Sequence, residues 1–100
     1  MQSDPIRSIS VVIPVFQEED NLGTLCAQLW PVLGDLTLDV EVVFVDDGST
    51  DGSFAMLREI ADTRSGVRVI SFRRNAGQTA AIQAGIDAAS HDVIVPLDAD

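Results

Sequence analysis

Four short apolar runs, each cut off by a polar or charged cluster, constrain this chain more than any other feature. Val11-Val12-Ile13 stops at Pro14 and leads into Gln17-Glu18-Glu19-Asp20. Val42-Val43-Phe44-Val45 stops at Asp46-Asp47-Gly48-Ser49, and Val67-Arg68-Val69-Ile70-Ser71-Phe72 stops at Arg73-Arg74-Asn75. Val93-Ile94-Val95-Pro96-Leu97 stops at Asp98-Ala99-Asp100. Runs rich in β-branched residues, apolar on both faces, are what a sheet covered on both sides requires. If the runs are parallel strands, the polar clusters gather along one edge. That edge, outside the carboxyl ends of the strands, is where open α/β sheets bind ligands.

The stretches between the runs have helical periodicity. Leu22, Leu25, Cys26, Leu29, Trp30 and Leu33 recur at i, i+3, i+4, i+7, i+8 and i+11, which predicts a helix over about residues 20–33 with one buried face. Pro31 lies inside that pattern, and its ring is expected to kink or end the helix near Trp30. A second helix is expected over about residues 52–63, capped by Ser49, Thr50 or Asp51, with Phe54, Leu57, Ile60 and Ala61 inward. A third is expected over about residues 78–89, with Ile82, Gly85, Ile86 and Ala89 on one face. The strands fall at about residues 9–15, 40–45, 67–72 and 92–97. Alternation of strand and helix with right-handed crossovers predicts an α/β, Rossmann-like three-layer sandwich with a parallel sheet in the order 3-2-1-4.

Composition narrows the function. Against 16 acidic residues stand 6 basic ones, all Arg, for a net charge of -10. Such a surface argues against nucleic acid or anionic lipid as a broad partner. Five of the six Arg fall between Arg58 and Arg74, which leaves room for one local basic patch. Cys26 is alone and sits in the apolar stripe, so it reads as a core residue. His91, the single His, lies at the far end of the sheet from the clusters. The hydrophobic fraction of 46% is that of a globular protein. No apolar run approaches the roughly 20 residues of a membrane span, and the first residues lack a secretory pattern. These features point to the cytoplasm. The chain stops at Asp100, just after a strand, which predicts one part of a larger domain.

The usual phosphate grips are missing. No G-x-G-x-x-G follows the first strand, and no G-x-x-x-x-G-K-[ST] is present. A phosphate-bearing ligand would need positive charge from elsewhere, and a metal held by carboxylates is the natural candidate. Asp98 and Asp100 have the spacing to hold one; alone, Asp-x-Asp reads sooner as a solvated turn, and its place at the carboxyl end of a strand shifts the weight toward a metal. The segment from Asp46 to Asp51 has the composition of a tight turn and helix cap. Two Asp before Gly48 exceed that need, and a carboxylate there can accept from a nucleobase N–H or a ribose hydroxyl. Arg73 to Gln78 reads either as a phosphate or base contact or as a loop relieving acidic repulsion. Glu18 reads either as a ribose contact or as an acid placed at a helix start.

Taken in order, these segments resemble glycosyltransferase family 2, the GT-A group that transfers sugars from nucleoside-diphosphate donors. The residues carrying the resemblance run from Val11 to Glu18, from Val45 to Asp51 and from Arg74 to Gln78. Ala84-Gly85 and the segment Leu97 to Asp100 complete the set. Asn75-Ala76-Gly77-Gln78-Thr79-Ala80-Ala81-Ile82 looks most like the subgroup that glycosylates polyprenyl phosphates. One departure is Gln17, where the family usually has Asn before Glu.

The resemblance implies the N-terminal half of a GT-A fold, with residues 1–100 as the nucleotide-sugar-binding part, ending after the Asp-x-Asp motif. It implies Pro14 and Val15 along the base pocket, Glu18 on the ribose, and Asp47 on the base with Asp46 positioning the turn. It further implies Arg74, Asn75, Gly77 and Gln78 in the loop beside base and diphosphate. Asp98 and Asp100 would then hold Mg²⁺ or Mn²⁺ across the diphosphate. The implied donor is a UDP- or GDP-sugar, transferred with inversion to an acceptor such as a polyprenyl phosphate at the inner face of the membrane. The catalytic base, the acceptor pocket and any membrane helices are expected beyond residue 100. Two other classes compete: a nucleotide-binding module without catalysis, and a signalling receiver domain. The receiver pattern needs an acidic pair at the end of the first strand and a Lys near the last; here the first strand ends without acid, and the chain has no Lys.

Overall fold

The computed structural model describes residues 6–98. Seven elements follow in order: β1 (Ser8–Val15), α1 (Leu22–Gly34), β2 (Asp39–Asp46), α2 (Ser53–Thr63), β3 (Val67–Ser71), α3 (Gln78–Ala88) and β4 (Val93–Pro96). The four strands form one parallel sheet in the order β3-β2-β1-β4. This is the expected order. The longest pairing, β1 with β2, sets Val11 opposite Val42, Val12 opposite Val43 and Ile13 opposite Phe44.

Pleating divides these side chains between two faces. Val11, Ile13, Val15, Val42 and Phe44 pack with Leu22, Cys26 and Leu29 of α1 and Leu57 of α2. Val12, Val43 and Val45 pack on the other face with Ala81 of α3. Two helices on one face and one on the other is what right-handed crossovers demand when the strand order reverses between β3 and β4. The reversal puts a crevice at the carboxyl ends of the central strands.

Two local expectations differ from the structure. α1 does not end at Trp30 but runs past Pro31 to Gly34. Leu29 and Leu33, on either side of the proline, both pack on the core and hold the last turn despite the missing N–H. The inner face of α3 is only partly the expected one: Gly85 is buried and Ile82 half-buried as expected, but Ala81 takes the place given to Ile86. Ala81 and Gly85 are buried, whereas Ile86 is 36% exposed. A Cβ on Gly85 would run into Val12 Cγ1, so α3 sits too close to β1 for larger residues. Small side chains, not large ones, mark its contact face.

At the amino ends of the strands a buried carboxylate ties the sheet together. Glu41, between Val40 and Val42, is only 6% exposed. Its carboxylate accepts from Ser10 Oγ of β1 at 2.6 Å and from Arg68 Nη1 of β3 at 2.9 Å. It also accepts from the backbone N–H of Ser90 at 3.1 Å and from Ser90 Oγ at 3.2 Å. Arg68 in turn donates to Ala88 O at the end of α3. Burial pushes the Glu41 carboxyl up, but the hydrogen bonds from Ser10, Arg68 and Ser90 outweigh it and hold the group at about 2.

Candidate functional site

At the opposite end, where the strands stop, the chain makes a cleft of about 240 Å³. Its lining comes from four strand ends: Pro14, Val15, Phe16 and Glu18 after β1, Asp47 after β2, Asn75, Gly77 and Gln78 after β3, and Asp98 after β4. Asp98 is brought there by the parallel register, with Leu97 N donating to Val12 O at 2.9 Å.

Asp47 organises this rim. It is 3% exposed and ties together three of the strand ends. Its backbone N–H donates to Val15 O at 2.8 Å. Its carboxylate accepts from Asn75 Nδ2 at 2.9 Å, Ala76 N at 2.7 Å and Gly77 N at 3.0 Å. An ionised carboxylate offers about four lone-pair directions. Three are spent on the 75–77 loop, and the side chain still lines the cleft. The loop packs equally closely against the β2–α2 turn. Gly48, with φ +75°, has the Arg74–Asn75 backbone where a Cβ would stand. Gly is required there both by the left-handed backbone and by the approach.

The β1–α1 and β2–α2 loops interlock. Gln17 has φ +54°, the one positive φ outside glycine among the described residues. Its Oε1 accepts from Thr50 N at 2.6 Å and Asp51 N at 3.3 Å, while its Nε2 donates to Thr50 Oγ1 at 3.1 Å. Its backbone N–H donates to Ser49 Oγ, and that of Glu18 to Ser53 Oγ at 2.8 Å. Glu19 closes the set: its N–H donates to Asp51 Oδ2, and its Oε2 accepts from Gly52 N. The N-cap of α2 is Gly52 and not one of the three expected residues; Asp51, one residue earlier, accepts from Ser53 N through Oδ1 at 2.9 Å and so braces the turn that leads into the helix. Burial pushes the Asp51 carboxyl up, but hydrogen bonds from Ser53 and from the Glu19 N–H hold it below its ordinary value.

Most expected site residues meet here. Pro14, Val15, Glu18, Asp47, Asn75, Gly77, Gln78 and Asp98 share one cleft. Asp46 does not line it: it lies beneath the rim, 2% exposed, with Oδ1 lacking a hydrogen-bond partner. Arg74 is exposed beside the cleft and is not among the lining residues. Asp100 lies outside the described residues. Phe16, 45% exposed, lines the cleft without having been singled out. The signal for it was an aromatic residue immediately after the first strand.

A single carboxylate from Asp98, open to a cleft with room for phosphate oxygens and water, suits Mg²⁺ or Mn²⁺. Both take one or two carboxylates and complete an octahedron with phosphate and water. No group of three or more His, Cys, Asp or Glu that could hold a metal occurs among the described residues.

Comparison with known proteins agrees with this geometry. The family model described as Glycosyl transferase family 2 matches residues 10–100, and the chain belongs to that family. The undecaprenyl-phosphate 4-deoxy-4-formamido-L-arabinose transferase of Aeromonas hydrophila is 40% identical; the match covers 100% of this chain and 31% of that protein. The chain thus spans about a third of the length of the curated relatives it matches.

Among solved structures, glucosyl-3-phosphoglycerate synthase from Mycobacterium tuberculosis, in complex with Mn²⁺, UDP and glucosyl-3-phosphoglycerate, superposes with a TM-score of 0.70. That match has 33% identity and spans 94% of this chain and 34% of the other. The mannosyltransferase PcManGT from Pyrobaculum calidifontis, in complex with GDP-Man and Mn²⁺, gives a TM-score of 0.69. Its identity is 26%, over 92% of this chain and 27% of the other. The fold is therefore that of the GT-A glycosyltransferases.

Proposed function

We propose that this chain forms the donor-binding part of an enzyme that moves a sugar from a UDP- or GDP-sugar to a polyprenyl phosphate, with inversion and with Mg²⁺ or Mn²⁺. The observation that carries the reading is the convergence of four strand ends on one cleft. In this reading Pro14 and Val15 face the base, and the remaining acceptor position of Asp47 takes a base N–H. Glu18 accepts from a ribose hydroxyl. Asn75, Gly77 and Gln78, fixed by Asp47, hold the loop beside the diphosphate, with Arg74 at its outer edge. Asp46 supports the turn from below. Asp98 and Asp100 hold the metal, which when bound neutralises the charge of the departing nucleoside diphosphate.

The relative from Aeromonas hydrophila is named for undecaprenyl phosphate, and that supports a polyprenyl phosphate as acceptor. The solved neighbours contain Mn²⁺ with UDP or GDP-Man, and that supports the donor class and the metal. The acceptor phosphate, already ionised at neutral pH, attacks the anomeric carbon from the side opposite the leaving diphosphate, whose bond to the sugar breaks as the new one forms. Among the described residues no helix is long and apolar enough to cross a membrane. A polyprenyl acceptor would place the reaction at the inner face of the membrane.

Incubating the enzyme of which this chain forms part with UDP- and GDP-sugars and undecaprenyl phosphate in detergent, followed by chromatography of lipid-linked sugar, tests the reading; the 100-residue chain alone should transfer none. Product should require one donor, the lipid and a divalent cation. Transfer undiminished by a chelator would remove the metal step. Transfer only to water-soluble acceptors would replace the lipid.

A further inference from the structure

We infer that Gln17 is a positioning residue that sets Glu18 in the cleft, through its carboxamide seated in the β2–α2 turn. A left-handed backbone at a residue other than Gly, Asn or Asp is disfavoured and persists only where its surroundings enforce it. At Gln17 the enforcement is visible: its side chain meets two backbone N–H groups and one hydroxyl of the neighbouring loop, and its own N–H is taken by Ser49. The consequence falls on the next residue. With Gln17 at φ +54°, the Glu18 N–H reaches Ser53 Oγ and its side chain lines the cleft. Released to an ordinary negative φ, the chain would re-aim Glu18 while leaving the strands untouched. The carboxamide thus links the strand end that carries Glu18 to the turn that carries Asp47.

The inference rests on the reading of Glu18 as a ribose contact only for its effect on binding, and the test separates the two. Gln17→Gly keeps the left-handed backbone accessible while removing the carboxamide, so the fold should survive. Gln17→Asn keeps an amide that is one methylene shorter. Amide hydrogen exchange reads the positioning without any ligand. In Gln17→Gly the N–H groups of Glu18, Thr50 and Asp51 should exchange about tenfold faster or more, while those of Val43 to Val45 are unchanged. Titration with UDP and GDP against their 2′-deoxy and 3′-deoxy counterparts then reads the ribose contact. The unmodified protein should prefer the ribonucleotide about tenfold, Gln17→Gly should lose that preference, and Gln17→Asn should recover part of it. Unchanged exchange at Glu18 in Gln17→Gly would overturn the inference. So would a ribose preference kept in full by that variant. Faster exchange with no ribose preference even in the unmodified protein would sustain the positioning role and remove the ribose reading of Glu18.

Discussion

Glu41 and Asp47 stand at opposite ends of β2, both carboxylates, one 6% and the other 3% exposed. Their surroundings differ in kind. Glu41 is surrounded by partners from β1, β3 and the approach to β4, including the cation Arg68, and no part of it lines the cleft. Asp47 accepts three hydrogen bonds from one loop, has no cation among its partners, and forms part of the cleft. A buried charge whose protein partners are complete stabilises the fold. A buried charge that organises a loop and still faces open space is available to a ligand. Beside it, Asp46 leaves an oxygen without a partner. The sheet therefore has a closed end and an open end.

That contrast breaks most visibly under acid. The Glu41 carboxyl sits at about 2 in the folded protein against an ordinary value of 4.5. Its contribution is fully present above pH 4.5 and is lost as pH falls through about 2. A shift of that size corresponds to about 3 kcal/mol. Glu41→Gln should lower stability by about that much at pH 7 and flatten its pH dependence in this window, as read by urea denaturation. Nucleoside-diphosphate affinity should stay unchanged.

Gly48→Ala probes the open end. It combines a left-handed backbone with a collision against the Arg74–Asn75 peptide, so about 2 kcal/mol or more of stability should go. Unlike Glu41→Gln, it should weaken nucleotide binding as well. Asp47→Asn sharpens the comparison further. It retains the shape but weakens the bonds to Ala76 and Gly77, at a cost of about 1–2 kcal/mol in stability and about tenfold in affinity. The smallest effect belongs to His91, whose Nε2 lies 3.6 Å from Asp39 Oδ2, an oxygen of a side chain that is 78% exposed. His91→Ala should change stability by less than about 0.5 kcal/mol and binding not at all.

The strands and their order were legible because their β-branched runs are continuous and their punctuation is polar. The rim was legible for the same reason: each cluster follows a strand end. What escaped depends on contacts distant in sequence. Glu41 stands opposite Ser10 in the β1–β2 register, but only the paired sheet brings Arg68 and Ser90 to it. On α3 periodicity places Gly85 correctly but puts Ile86 inward and passes over Ala81, because it weights large apolar residues, whereas the close approach of Gly85 to Val12 selects small ones. Pro31 was read by its local cost, and the packing of Leu29 and Leu33 prevailed. Gln17 gave no hint of a left-handed backbone, because the bonds that hold it come from Thr50 and Asp51 on another loop.

The most direct test of an open end built for a nucleoside diphosphate is calorimetric titration of UDP and GDP, with and without Mn²⁺. The titrations would be run on the protein and on Asp98→Ala, Asp47→Ala and Glu41→Gln. One of the two nucleotides should bind, more tightly with Mn²⁺. Asp98→Ala should abolish the gain from the metal, Asp47→Ala should weaken binding about tenfold, and Glu41→Gln should leave it intact. Binding that ignores Mn²⁺ and both aspartate substitutions, or that falls only with Glu41→Gln, would contradict this assignment of the two ends.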